Sequence, residues 1–129
     1  MNSLAPASFA TALLLSACGK GTAPLPTLLI SYQLAATARV SFDSVAYENA
    51  QGQIVKVTAP TTNWGIAFPM SAYGYVQGTA WAVTTAASER ASLRATWTQT
   101  GVRTDSDSSA TTTTAPGRFT LQIVRRQVF

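Results

Sequence analysis

Ile30-Ser31-Tyr32-Gln33-Leu34 decides the fold, because its apolar residues fall at every second position with Ser31 and Gln33 between them. A period of two sends alternate side chains to opposite faces of an extended strand, whereas a helix needs apolar residues three and four apart. The same period recurs on either side of this stretch. Val40 and Phe42 alternate with Arg39, Ser41 and Asp43, then the pattern resumes as Val45 and Tyr47, which places a register change near Ser44. Ile54-Val55-Lys56-Val57 reads as another short strand, opened by the turn Asn49-Ala50-Gln51-Gly52. Further on, Trp81 and Val83 alternate with Ala80, Ala82 and Thr84, and Leu93, Ala95 and Trp97 alternate with Arg94, Thr96 and Thr98. Phe119, Leu121 and Ile123 alternate with Arg118, Thr120 and Gln122.

Turn residues punctuate these runs at Pro60, Pro69, Gly74, Gly78, Thr100-Gly101 and Pro116-Gly117, and Thr85 to Ala91 reads as a hairpin connection. About seven short strands with turns between them predict an all-β, antiparallel two-sheet sandwich that closes with Arg118 to Val128. Its expected topology is immunoglobulin-like, without the paired cysteines of that fold; a small closed barrel is the runner-up. Composition agrees. Thr, Ala, Val and aromatic residues are plentiful and only 11% of residues are charged, whereas helical domains draw heavily on Glu, Lys and Leu.

The amino-terminal segment has a different character. The apolar run Phe9 to Leu15 leads into Leu15-Ser16-Ala17-Cys18, a small-residue stretch closing on a cysteine, which reads as a bacterial lipobox. The run matches the apolar core of about 7–15 residues in a secretory signal and falls short of the roughly 20 needed to span a bilayer. Residues 1–17 contain no Lys or Arg, so either the true start lies upstream or the free amino terminus supplies the positive charge. The expected organisation is a helical lipoprotein signal peptide at 1–17, a lipidated tether at 18–26 and a β-sandwich domain at 27–129. Lipidation of Cys18 also disposes of the chain's only cysteine, which as a free thiol in an oxidising compartment would be a liability. Two or more acyl chains give stable anchoring where one does not.

Several short motifs carry a resemblance. Tyr32-Gln33-Leu34-Ala35-Ala36-Thr37-Ala38 is similar to the Tyr-x-Val-x-Gly-x-Ala opening of the small mycobacterial membrane proteins that accompany resistance-nodulation-division exporters. Val45-Ala46-Tyr47-Glu48-Asn49 followed by Gly52 resembles the hairpin of that family, and Thr96 to Gly101 resembles its late hairpin. Ile66-Ala67-Phe68-Pro69-Met70 occupies the place of its Leu-Pro-Trp step, with Met70 for the tryptophan. The resemblance implies a β-sandwich on a membrane tether and carries over no partner site.

Catalytic chemistry is narrowed by residue type. With no His, the Ser-His-Asp, Cys-His and His-metal constellations are excluded. The five carboxylates are Asp43, Glu48, Glu89, Asp105 and Asp107, and solvated strand-edge positions are the expectation for the Asp43 and Glu48 pair. Asp105-Ser106-Asp107-Ser108-Ser109 lacks the glycine and the bidentate Glu of a calcium loop and reads as a polar hairpin tip beside an extended Thr111 to Thr114 edge or loop. No catalytic residue, cofactor or metal is expected.

Two groups of residues remain as contact surfaces. Trp64, Phe68, Met70, Tyr73 and Tyr75 crowd one Pro- and Gly-punctuated stretch and are candidate partner-binding residues, with satellite core as the competing reading. Arg118, Arg125 and Arg126 supply a candidate contact for an anionic surface, within a net charge of +4. The functional expectation is a non-enzymatic, lipid-anchored module facing the periplasm or cell exterior. It would bind or assist another envelope component, such as an envelope protein or transporter, and no nucleic acid. The alternative is an envelope binding protein for a small apolar or anionic ligand.

Overall fold

The computed structural model describes residues 28–70, 74–99 and 103–128. The expected signal segment, Cys18 and the tether lie outside them. Eight strands follow one another: β1 (Leu28–Ala36), β2 (Val40–Glu48), β3 (Ile54–Thr58), β4 (Gly65–Met70), β5 (Gly74–Thr84), β6 (Arg90–Gln99), β7 (Arg103–Thr112) and β8 (Gly117–Val128). They form two four-stranded sheets, ordered β4-β1-β6-β7 and β3-β2-β5-β8, in which every neighbouring pair is antiparallel. The two sheets pack as an open sandwich, with one strand more than the alternation alone suggests.

β2–β3 and β6–β7 are hairpins within a sheet, and the other connections cross between sheets. The β2–β3 turn is built on Asn49, whose side-chain oxygen accepts from the N–H groups of Gln51 and Gln53 at 3.0 and 2.9 Å. Gly52 takes the left-handed conformation there (φ 77°), as a turn glycine can at little steric cost. Thr85 to Glu89 is one of the crossings and not the expected hairpin, since β5 and β6 belong to different sheets. Its backbone bonds instead to the β7–β8 link: Ser88 donates to the Thr113 carbonyl at 2.7 Å and Thr113 donates to that of Glu89 at 2.8 Å.

The core lies between the inner faces. Leu28, Ile30, Tyr32 and Leu34 of β1 alternate inward as the opening stretch predicts, against Ala91, Leu93, Ala95 and Trp97 of β6. On β5 the alternation is inverted with respect to size. Ala80, Ala82 and Thr84 are 0, 1 and 2% exposed, whereas Trp81 faces out at 37%. The cross-strand partners explain this: Ala80 sits between Val45 and Leu121, and Ala82 between Phe42 and Phe119. With large side chains on both flanks, only small ones fit the middle strand at native packing density.

Two irregularities break the second sheet. The β2–β5 register shifts between Phe42 and Ser44, so that Asp43 is an extra residue opposite Trp81. The β5–β8 register shifts between Val76 and Gly78, and Val124 and Arg125 together face the single residue Gln77. A bulge of this kind inverts the facing of every residue beyond it. The edge strands carry the usual defences against further pairing: Pro69 on β4, inward-facing Asp105 and Asp107 on β7, and arginines on β8.

Candidate functional site

The expected partner-binding residues do not share a surface. Trp64 and Phe68 project to the inner face of β4's sheet, half-buried and packed on the core, and Met70 is buried within it. They belong to an aromatic layer that spans the sandwich. Tyr47 of one sheet meets Trp64 and Phe68 of the other at ring-centroid distances of 5.7 and 6.2 Å, and Tyr32 lies 5.2 Å from Tyr47. Tyr75 is elsewhere, on the outer face of the second sheet, and Tyr73 lies outside the described residues. The period-two spacing of Trp64, Ile66, Phe68 and Met70 is the strand signal that accounts for this placement; Pro69 disguises it, because proline is admitted on an edge strand.

Beside the aromatic layer is the most elaborate polar grouping among the described residues. Glu48, with a side chain only 3% exposed, is gripped by Arg125 through Nε at 2.7 Å and a terminal nitrogen at 3.1 Å. Gln77 Nε2 donates to the same carboxylate at 3.0 Å, and the Arg125 guanidinium stacks on the Tyr75 ring at 3.7 Å. From the opposite sheet, the Tyr32 hydroxyl donates to the Glu48 carbonyl at 3.0 Å and accepts from the Gln77 N–H at 3.3 Å. It thus links the backbones of β2 and β5 just beyond the last register pair, Tyr47 with Gly78. Burial pushes the Tyr32 hydroxyl up to about 12 from 10.0, the Glu48 charge adding to it. The Arg125 bonds hold the Glu48 carboxyl below its ordinary value, against the opposing effect of burial. This grouping holds its charged members in fixed, mutually neutralising contacts and is a structural clamp.

The three candidate surface arginines each have a carboxylate partner. Arg118 pairs with Asp43, Arg125 with Glu48, and Arg126 with Asp107 at 3.7 Å. The β8 bulge splits the Arg125-Arg126 doublet. Arg125 turns to the outer face, while Arg126 turns inward and lies 5.4 Å from the Trp97 ring. Arg118 stands near the other end of the strand, so the three do not form one patch. Asp43, the bulge residue, and Glu48 are likewise held in separate ion pairs, and Glu48 is buried on an inner strand instead of standing as the expected solvated edge charge. Asp105 to Ser109 lies within β7 and is not the expected hairpin tip; its two carboxylates accept from the following N–H groups, each at 2.9 Å. Among the described residues no three acidic, His or Cys side chains converge to hold a metal ion.

No family model, curated protein or solved structure matches this chain. Function therefore has to be read from its surface. Two clefts stand out. The larger, about 550 Å³, lies where β1 and β7 end and β6 begins, and is lined by Ala35, Ala36, Thr37, Arg90 and Ala110 among others. The nearby Glu89 carboxylate is held below its ordinary value by the Thr37 hydroxyl at 2.8 Å, and then by the Arg39 N–H at 3.1 Å. The smaller cleft, about 320 Å³, lies on the outer face of the second sheet among Asp43, Trp81, Arg118 and Thr120. Neither cleft contains the buried aromatic layer. The larger cleft combines alanines, hydroxyls and Arg90, and the smaller combines two aromatic residues with the Asp43–Arg118 ion pair.

Proposed function

We propose that this chain is a membrane-anchored lipoprotein whose β-sandwich acts as a non-catalytic binding or accessory module for another component of the cell envelope. The observation that carries the reading is the polarity of the domain. The amino-terminal strand starts at Leu28, whose partners Met70 and Gln99 end their own strands, so the chain enters the sandwich at that end. Asp43, Trp81 and Arg118 lie toward the opposite end, near the residues where β2 begins, β5 finishes and β8 begins. A tether on Cys18 would thus hold the clefts away from the bilayer. The carboxylates support a contact role, being engaged by arginines, hydroxyls or backbone N–H groups and not poised as a free acid and base.

The test is the chemical state and location of Cys18. The mature chain is expected to begin at an acylated Cys18 and to partition into detergent, and Cys18→Ser is expected to release it to the soluble fraction. A membrane-associated chain that still begins at Met1, without lipid, refutes the reading. A second reading, a binding protein for a small apolar or anionic ligand, is favoured by the larger cleft, where Arg90 stands beside several alanines. Native mass spectrometry distinguishes the two: a retained small molecule supports the second, and a stoichiometric protein or polymer partner supports the first.

A further inference from the structure

We infer that the cleft around Trp81 is a binding site for a neutral sugar residue of an envelope polysaccharide; this deepens the reading of the domain as a non-catalytic binding module. Four features converge there. Trp81 is exposed although its strand buries alanines on the other face. The Lys56 ammonium lies over its ring, 5.3 Å from the centre, as a cation does on an electron-rich indole. The bulge at Asp43 sits directly opposite Trp81 and brings the carboxylate to Arg118, with both side chains and Thr120 lining the same cleft. Bulges recur where a side chain must be re-aimed at a binding site. The bulge is in turn held by Ala59, a left-handed non-glycine residue (φ 51°) whose N–H donates to the Asp43 carbonyl at 2.8 Å. Such a conformation is strained for a residue with a Cβ and persists only where its surroundings enforce it.

The chemistry of the lining selects the ligand. An indole face is electron-rich, and the ring of a sugar presents a row of weakly positive C–H groups that suits it. Around that face stand groups for hydroxyls: two carboxylate acceptors on Asp43, guanidinium donors on Arg118, and the Thr120 hydroxyl, which serves either way. Asp43 and Arg118, the two charged residues of the lining, neutralise one another, and the Lys56 ammonium stands over the Trp81 ring outside that lining. A protein partner would require about 800 Å² of surface on this side. The other exposed large apolar residues of this face, Ile54 and Val124, are set apart from Trp81 by the cross-strand row Lys56, Ala46, Thr79 and Gln122. A volume of about 320 Å³ is at the lower end of ligand sites and fits a single sugar unit of a chain.

The test is a titration of the full-length chain with cellotetraose, maltotetraose and the tetramer of N-acetylglucosamine, read by tryptophan emission and acrylamide quenching. At least one is expected to bind saturably, with a dissociation constant of about 0.1–1 mM, and to shield the most exposed of the three tryptophans. Trp81→Phe should retain binding within about threefold, whereas Trp81→Ala and Asp43→Asn should each weaken it by about tenfold or more. Thermal melts of the variants show whether the fold persists. The inference is overturned if none of the three sugars binds, if Trp81→Ala binds as the parent does, or if Trp81 is required for capture of a protein instead. Because the titration does not depend on Cys18, its failure is separable from failure of the lipid anchor.

Discussion

Replacing Tyr32 by Phe removes one oxygen atom from the interior and leaves the ring in place. Tyr32 is 1% exposed, and its hydroxyl serves two backbone groups, the Glu48 carbonyl at 3.0 Å and the Gln77 N–H at 3.3 Å. The shorter bond is the stronger, and its loss leaves a buried carbonyl without this donor, at a cost of about 1–3 kcal/mol. The longer bond adds less, and removal of a polar atom from the core gives some of the loss back. A net destabilisation of about 2 kcal/mol is expected near neutral pH, which in a domain of this size lowers the melting temperature by roughly 8–16 °C. Urea unfolding followed by tryptophan emission reads it as a lower midpoint at an unchanged slope.

The pH dependence supplies an independent check. The folded-state value of Tyr32 is raised from 10.0 to about 12, so its contribution is complete below pH 10 and is lost as pH rises through about 12. The full difference corresponds to roughly 3 kcal/mol. Parent and Tyr32→Phe should therefore converge in stability between those two values, the parent falling more steeply. Equal stability at pH 7 would show that the hydroxyl does not bridge the sheets as described, and parallel decline of both proteins in alkali would show that it is not buried between them.

Two other outcomes follow from the same region. Glu48→Gln should destabilise by about 2 kcal/mol, because an amide cannot meet both Arg125 donors without turning its own N–H groups toward them. Since the folded Glu48 value lies below the ordinary one, its stabilisation is present above about pH 4.5 and fades as pH falls below it; urea midpoints across that range should decline less in the variant. Gly78→Val should cost about 1–3 kcal/mol by overpacking, since a Cβ at Gly78 would already stand 3.3 Å from both the Ala46 carbonyl oxygen and Leu93 Cδ2. A calorimetric melt unchanged from the parent would show that the sheets have more room there than the structure indicates.

The strands legible in the sequence are those with one wet and one dry face. β1, β2, β5, β6 and β8 announce themselves through alternation, β3 follows from its short apolar run after the Asn49 turn, and the break near Ser44 is the β2 bulge. β7 escapes notice because Arg103 to Thr112 is polar on both faces, as an edge strand with inward-facing aspartates can be. β4 is masked by Pro69, and Trp81 misleads because periodicity marks two faces without saying which one the neighbouring strands leave room for. The clamp had little signal. Glu48 and Arg125 are 77 residues apart, and only the adjacent arginines, in a strand otherwise alternating, hint at a bulge. The Asp43 to Arg118 pair, 75 residues apart, is equally invisible to local pattern.

The bulge in β8 has a consequence for how this strand can change in length. In an ordinary strand, gaining or losing one residue exchanges the two faces of everything beyond it. Here two residues already stand opposite Gln77, and the first of them, Val124, is 71% exposed. Deleting Val124 would leave Arg125 opposite Gln77 and Arg126 opposite Val76, each still aimed at its own carboxylate, whereas deleting Gln122 would turn Leu121 and Ile123 to opposite faces. The first deletion should fold with a cooperative melt and the second should not. β8 thus contains one position at which an indel is nearly silent, and chain lengths among homologues should vary there in preference to the rest of the strand.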